Sequence, residues 1–253
     1  MPRTLDPAAH AVRRDAFVDA ALRVIQAKGY DNLSIADVLE VVGASKGAFF
    51  HYFGSKAELL AAVVDRMVEA GIRAVQPVAA DPDLGPLAKL EGIFSGIAQW
   101  KREQPEFQPA AVAELLRVWY SDENSTVVAR LRAATRARLT PLLAGVIREG
   151  AADGTFAVAS PDGAASVMTS VMLGLQEEII PLFLGRLEGT VSFDMVRSTV
   201  AAYMEAFERI IGVSRLSWPI ADEATLRYWF DPKTPTNDTA PAGSSNPPKG
   251  QAA

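Results

Sequence analysis

Three serines, Ser34, Ser45 and Ser55, each stand where a helix can begin, and their close spacing limits what this part of the chain can become. A capping side chain satisfies a backbone N–H that the first turn of a helix leaves without a partner. Ser34 has Asp37 three residues on, a capping box with a short acidic arm, and Leu33 can pack on Val38 as a hydrophobic staple. The helix that follows, about 35–42, stops at Gly43. Ser45 caps another that runs to about Tyr52. Ser55-Lys56-Ala57-Glu58 is a full S-x-x-E box opening a longer helix to about Gln76, before Pro77. Two short capped helices joined through Gly43-Ala44-Ser45 have the form of a helix-turn-helix.

Upstream, Asp6-Pro7 opens a first helix in which Phe17, Ala20, Ala21, Val24 and Ile25 keep the rhythm of one buried face. Gly29 stands where its left-handed end is wanted. Downstream, helices are expected near 84–103, 109–120, 125–152, 161–184 and 193–212, with Pro141 kinking the third of them. Ser160-Pro161 and Ser192 are N-terminal caps, and a short helical or irregular piece is expected around 221–230. Strand signals are nearly absent and no internal repeat is visible. The fold class read here is all-α. A three-helix head occupies 1–60, a larger helical domain 61–230, and a tail at 231–253, poor in apolar residues, is expected to be disordered.

The 253 residues include no cysteine, which excludes disulfides and thiolate metal sites. No uninterrupted apolar run reaches the roughly 20 residues of a membrane helix, and the N-terminal residues lack a signal-peptide core. A cytoplasmic protein without a membrane association is expected. The formal charge of −5 argues against a nucleic-acid partner until it is divided along the chain. Residues 1–60 hold seven Lys/Arg and seven Asp/Glu, so the excess of acid lies wholly beyond them. A neutral head can bind DNA if its basic groups share one face.

In a helix-turn-helix the second helix enters the major groove N-terminus first, while the preceding one crosses the backbone. That leading end here is Ser45, Lys46, Gly47 and Ala48, with Ser34 at the start of the crossing helix. Lys46 supplies charge to the end of a helix that already favours phosphate, and Gly47 lets the backbone come close. His51 and Tyr52 can reach a phosphate or a base edge, and Lys56 begins the next helix beside the same groove. Phe49 and Phe53, four apart, face inward. Taken singly, each lysine is also an ordinary surface charge, and His51 and Tyr52 are also ordinary packing residues.

The string Val42-Gly43-Ala44-Ser45-Lys46-Gly47-Ala48-Phe49-Phe50-His51-Tyr52-Phe53-Gly54-Ser55-Lys56-Ala57-Glu58-Leu59-Leu60, with Gly29 to Val38 before it, closely resembles the TetR family of bacterial regulators. The likeness is strong over about residues 10–60. Beyond them it rests on the helical layout and on Ile147-Arg148-Glu149-Gly150 and Ala152-Asp153-Gly154-Thr155-Phe156. Phe50 departs from the pattern: it stands where the family most often has tyrosine, so no phosphate hydrogen bond can come from it. The resemblance implies a homodimer on a palindromic double-stranded operator, usually as a repressor, with half-sites about 34–36 Å apart or a multiple of that. It also implies a dimer interface built from 161–184 and 193–212.

Relatives of this kind hold an inducer in the larger domain, and Trp100, Phe107, Leu115, Trp119, Tyr120, Met168 and Met172 are the candidate pocket residues, with Phe183 beside them. Arg117, Glu114 and Glu177 are candidate polar contacts. An apolar or aromatic small molecule is the expected ligand, and no cofactor or metal is expected. Enzymatic motifs are missing: there is no Walker loop, no G-x-S-x-G and no H-E-x-x-H. The only histidines are His51 and His10, the latter read as preceding the first packed helix. The competing reading is a protein that binds an effector or a partner and has little sequence-specific DNA affinity.

Overall fold

The computed structural model describes residues 7–28, 32–104, 109, 112–113, 125–214 and 223–231. Among them nine helices form and no strand: α1 (Pro7–Lys28), α2 (Ile35–Val42), α3 (Lys46–Tyr52), α4 (Lys56–Ala80), α5 (Pro86–Glu103), α6 (Ser125–Asp153), α7 (Pro161–Glu188), α8 (Phe193–Ile211) and α9 (Glu223–Phe230). The expected positions of Gly29 and most of 109–120 lie outside the described residues, as does the chain beyond Asp231.

The first three helices are short or singly amphipathic and close a core only together. Phe17, Val18, Ala20, Ala21 and Val24 of α1 meet Val38 of α2, Phe49 of α3, Phe53, and Leu59, Leu60, Val63 and Val64 of α4. Leu33 and Val38 are both buried there, as a staple requires. Gly43 ends α2 at φ 67°, a left-handed conformation that costs a glycine nothing.

Two expectations about α4 change. Glu58 donates its N–H to Ser55 Oγ at 3.1 Å, but its carboxylate accepts from Gly54 N at 2.7 Å rather than from Ser55. The glutamate arm is a methylene longer than that of Asp37, and it reaches the amide one residue earlier. The helix also continues through Pro77 to Ala80. Its last turns are held by α5: Trp100 packs on Gly71, Val75 over Gly96 and Val78 over Gly92. Side chains locked into the glycine notches of a neighbouring helix outweigh the one hydrogen bond that the proline deletes.

The second core gathers Val75, Leu90, Ile93, Phe94, Leu139, Leu143, Ile147, Met168, Val196, Val200, Phe207 and Ile211. Helix α6 runs unbroken past Pro141, with Leu139, Leu143 and Ile147 buried around it. At the end of α6 the ring of Phe156 lies where a side chain on Gly150 would be, 2.1 Å from an added Cβ, and Phe156 N donates to Gly150 O at 2.8 Å. Only glycine allows that approach, which explains the Gly150 and Phe156 pairing.

Helix α4 belongs to both cores, and Val128 and Leu131 of α6 reach the first. Residue 60, the expected division of the chain, falls inside α4. Helix α7 is long and apolar enough to cross a membrane by length and composition, with mean hydropathy 1.4, but only 33% of that stretch is buried within the chain. Its Ala165, Met168 and Leu175 face the core while Val167 is 51% exposed.

Candidate nucleic-acid interface

Helix α3, seven residues or about two turns, is wrapped on an aromatic cluster. Ser45 stands in an extended conformation at its start and accepts from Ala48 N at 3.2 Å. Phe49 is fully buried, edge-on to Phe17 with ring centres 5.8 Å apart, and Phe53 lies under it at 5.7 Å. The guanidinium of Arg14 covers Phe53 at 4.8 Å. These contacts fix the rotation of α3, which leaves Lys46, Gly47, Phe50 and His51 as its exposed face. Ala48 and Tyr52 are half-buried. The space beyond Gly47 is open, since an added Cβ would meet only Ser45 Oγ at 3.9 Å.

His10 does not precede the packed helix. It lies inside α1, and its ring sits 4.7 Å from Tyr52 and 5.7 Å from His51. A helix opening at Asp6-Pro7 already contains His10, but its ring contact has no local signal, because that depends on how α1 and α3 cross. Both histidines of the chain therefore join the same edge of the head.

Segregation resolves the neutral charge of the head. Asp15 and Asp19, one turn apart, both bind Arg66 of α4 at 2.7 Å, on the side of α1 turned away from Phe17. Asp37 is taken by Lys28 at 2.5 Å. That hydrogen bond, followed by the one from Ser34, holds the Asp37 carboxyl below the usual carboxylate range. Ser34 is thus exposed at the start of α2, with its hydroxyl committed to Asp37 at 2.7 Å. Lys46 and Lys56 take part in no ion pair among the described residues, and Lys46 Nζ stands 6.0 Å from the centre of the Phe50 ring. Asp15, Asp19 and Asp37 are neutralised within the chain and Glu58 is engaged with Gly54, whereas Lys46 is exposed and Lys56 half-buried beside α3.

Phe107, Leu115, Trp119 and Tyr120 lie outside the described residues, with Glu114 and Arg117. Met168 is fully buried in the second core, Met172 packs at its edge, and Trp100 lies against Gly71. Glu177 is paired with Arg132 of α6. Sequence reading missed Lys101, which continues the Leu90, Phe94 and Ile97 stripe of α5 and whose ammonium pKa burial pushes down. A shallow surface depression runs along α8, lined by Ser192, Asp194, Met195, Arg197, Ser198 and Ala201, and neither methionine of the candidate pocket lines it.

Ion pairs connect the two cores through α4. Asp65 binds Arg130 of α6, Glu69 binds Arg138 at 2.6 Å, and Arg66 between them holds α1.

A family model described as bacterial regulatory proteins, tetR family, matches residues 17–63. The chain is 30% identical over 187 residues to the HTH-type transcriptional regulator BetI of Agrobacterium fabrum, covering 73% of this chain and 87% of that protein. It is 30% identical over 163 residues to the BetI of Rhizobium meliloti, covering 64% and 77%. Among solved structures it is similar to a TetR-family transcriptional regulator from Pectobacterium atrosepticum, with TM-score 0.60 and 19% identity over 83% of this chain and all of that one. It is also similar to RolR in complex with resorcinol, with TM-score 0.55 and 18% identity over 88% and 96%.

Proposed function

The chain belongs to the TetR family of bacterial regulatory proteins and is a DNA-binding transcriptional regulator; from that premise we propose that it is a dimeric repressor, released from a palindromic operator by a small apolar molecule. The observation that carries the reading is the exposed face of α3. It presents Lys46, Gly47, Phe50 and His51, beside Lys56, while Asp15, Asp19 and Asp37 of the head are held in ion pairs by Arg66 and Lys28. Ser34, Ser45, Ala48 and Tyr52 complete the proposed contact set, and the protein acts in the cytoplasm, where its operator lies.

The head at 1–60 delivers α3 to the major groove, and the helices from 61 to 230 pair the subunits and hold the ligand. The exposed half of the apolar α7, with α8, is the proposed dimer face. Ligand response follows from linkage. A molecule that binds better to the state in which the two heads do not fit the half-sites lowers operator affinity by that difference, and by no more. RolR has been solved with the aromatic resorcinol, which supports an aromatic ligand for this fold. Helix α4, ion-paired to α1 on one side and α6 on the other, is the element through which a shift in the larger domain reaches the head.

Selection of bound fragments from the source genome, followed by footprinting, tests the reading. A palindromic protected site is expected. Failure to enrich any sequence over background would favour a partner-binding protein.

A further inference from the structure

Phe50 belongs to the proposed contact face but carries no polar atom with which to make a contact. It is 47% exposed at the centre of the outward face of α3, flanked by Lys46 and Gly47 on one turn and His51 on the next. An aromatic ring of this size is usually buried. The neighbouring Phe49 obeys that rule with no exposure.

The ring is also held. It meets Phe49 edge-on, with centres 5.3 Å apart and planes at 86°, and the Lys46 ammonium lies toward its face at 6.0 Å. A fixed apolar surface is therefore presented between groups that suit phosphate. It carries no atom that can donate to or accept from a phosphate or a base edge. The major groove offers one apolar group to such a surface, the C5-methyl of thymine.

We infer that Phe50 is a specificity residue that reads a thymine methyl in each operator half-site. The inference rests on the proposed entry of α3 into the major groove. Lys46 and Lys56 then position the head on the backbone, without sequence preference. Phe50 selects thymine at the base it covers.

The test uses the full chain and the operator recovered by genomic selection. Each thymine of a half-site is replaced in turn by deoxyuridine, which removes only the methyl group, and affinities are measured for wild type, Phe50→Ala and Phe50→Tyr. At one position per half-site the wild type should lose about fourfold, the worth of one buried methyl. Phe50→Ala should show no loss there and should no longer prefer thymine over cytosine. Phe50→Tyr keeps the ring and should keep the deoxyuridine penalty, which separates loss of contact from loss of fold. If every deoxyuridine penalty is the same in wild type and Phe50→Ala, the inference is overturned while DNA binding stands. A wild type that binds no duplex overturns the DNA-binding reading and this inference with it.

Discussion

Phe49 and Phe50 are the same side chain on consecutive positions, and the geometry of a single helix gives them opposite tasks. Phe49 holds α3 on Phe17 and Phe53, so Phe49→Ala should cost about 3–5 kcal/mol in urea or thermal unfolding. Phe50→Ala should cost less than about 1 kcal/mol, because nearly half of the ring is already in water. Equal losses would mean that α3 is not rotated as described. Lys46→Ala and Lys56→Ala should leave stability unchanged and weaken operator binding. Each should lower the slope of log affinity against log salt by about one for every subunit bound. A lysine whose removal changes neither affinity nor slope makes no phosphate contact. The inward turn of Phe49 and Phe53 was legible because it follows from i, i+4 spacing within one helix. The tilted contact of the His10 ring with Tyr52 was not, since it requires the crossing of α1 and α3, which no local pattern encodes.

At the scale of elements, caps were the most readable signals, because a cap is a bond between residues three apart. The box of Ser34 and Asp37 formed as read, and Lys28, nine residues earlier, was added from across the turn. Its consequence is a pH dependence. The folded Asp37 carboxyl takes up its proton less readily than the unfolded one, first because of the Lys28 ammonium. Its contribution is therefore complete above the ordinary carboxylate range and is lost as pH falls below about 4. Thermal unfolding of the wild type should lose more between about pH 6 and about pH 3 than that of Asp37→Asn. Parallel losses would remove Asp37 from the acid response. Prolines were the least readable signals. Pro77 suggested an end to α4, yet Val75 and Val78 in the notches of Gly96 and Gly92 carry the helix onward. The pairing of those residues across two helices cannot be seen from either helix alone.

For the whole molecule, the partly covered apolar helix and the ion pairs of α4 are the two features on which the proposed dimeric switch rests. A helix of mean hydropathy 1.4 with a third of its apolar stretch buried leaves a face that water disfavours, and a second subunit would cover it. Val167 lies on that face of α7, 51% exposed, so Val167→Arg should leave the monomer folded. It should shift the protein to monomer in sedimentation. Operator affinity should fall by at least about a hundredfold, because the second head would no longer be held near its half-site. A dimeric Val167→Arg protein with intact operator binding would put the interface elsewhere. The all-helical layering was legible from periodicity, but the route between the cores was not. Asp15, Asp19 and Arg66 are more than forty residues apart, and so are Asp65 and Arg130. Each pair, being exposed, contributes no more than about 1 kcal/mol. Their value lies in arrangement. Asp65 and Arg66 are adjacent in α4 and hold α6 and α1 respectively, so we propose that a displacement of α6 biases, through α4, the position of the helix that opens the head.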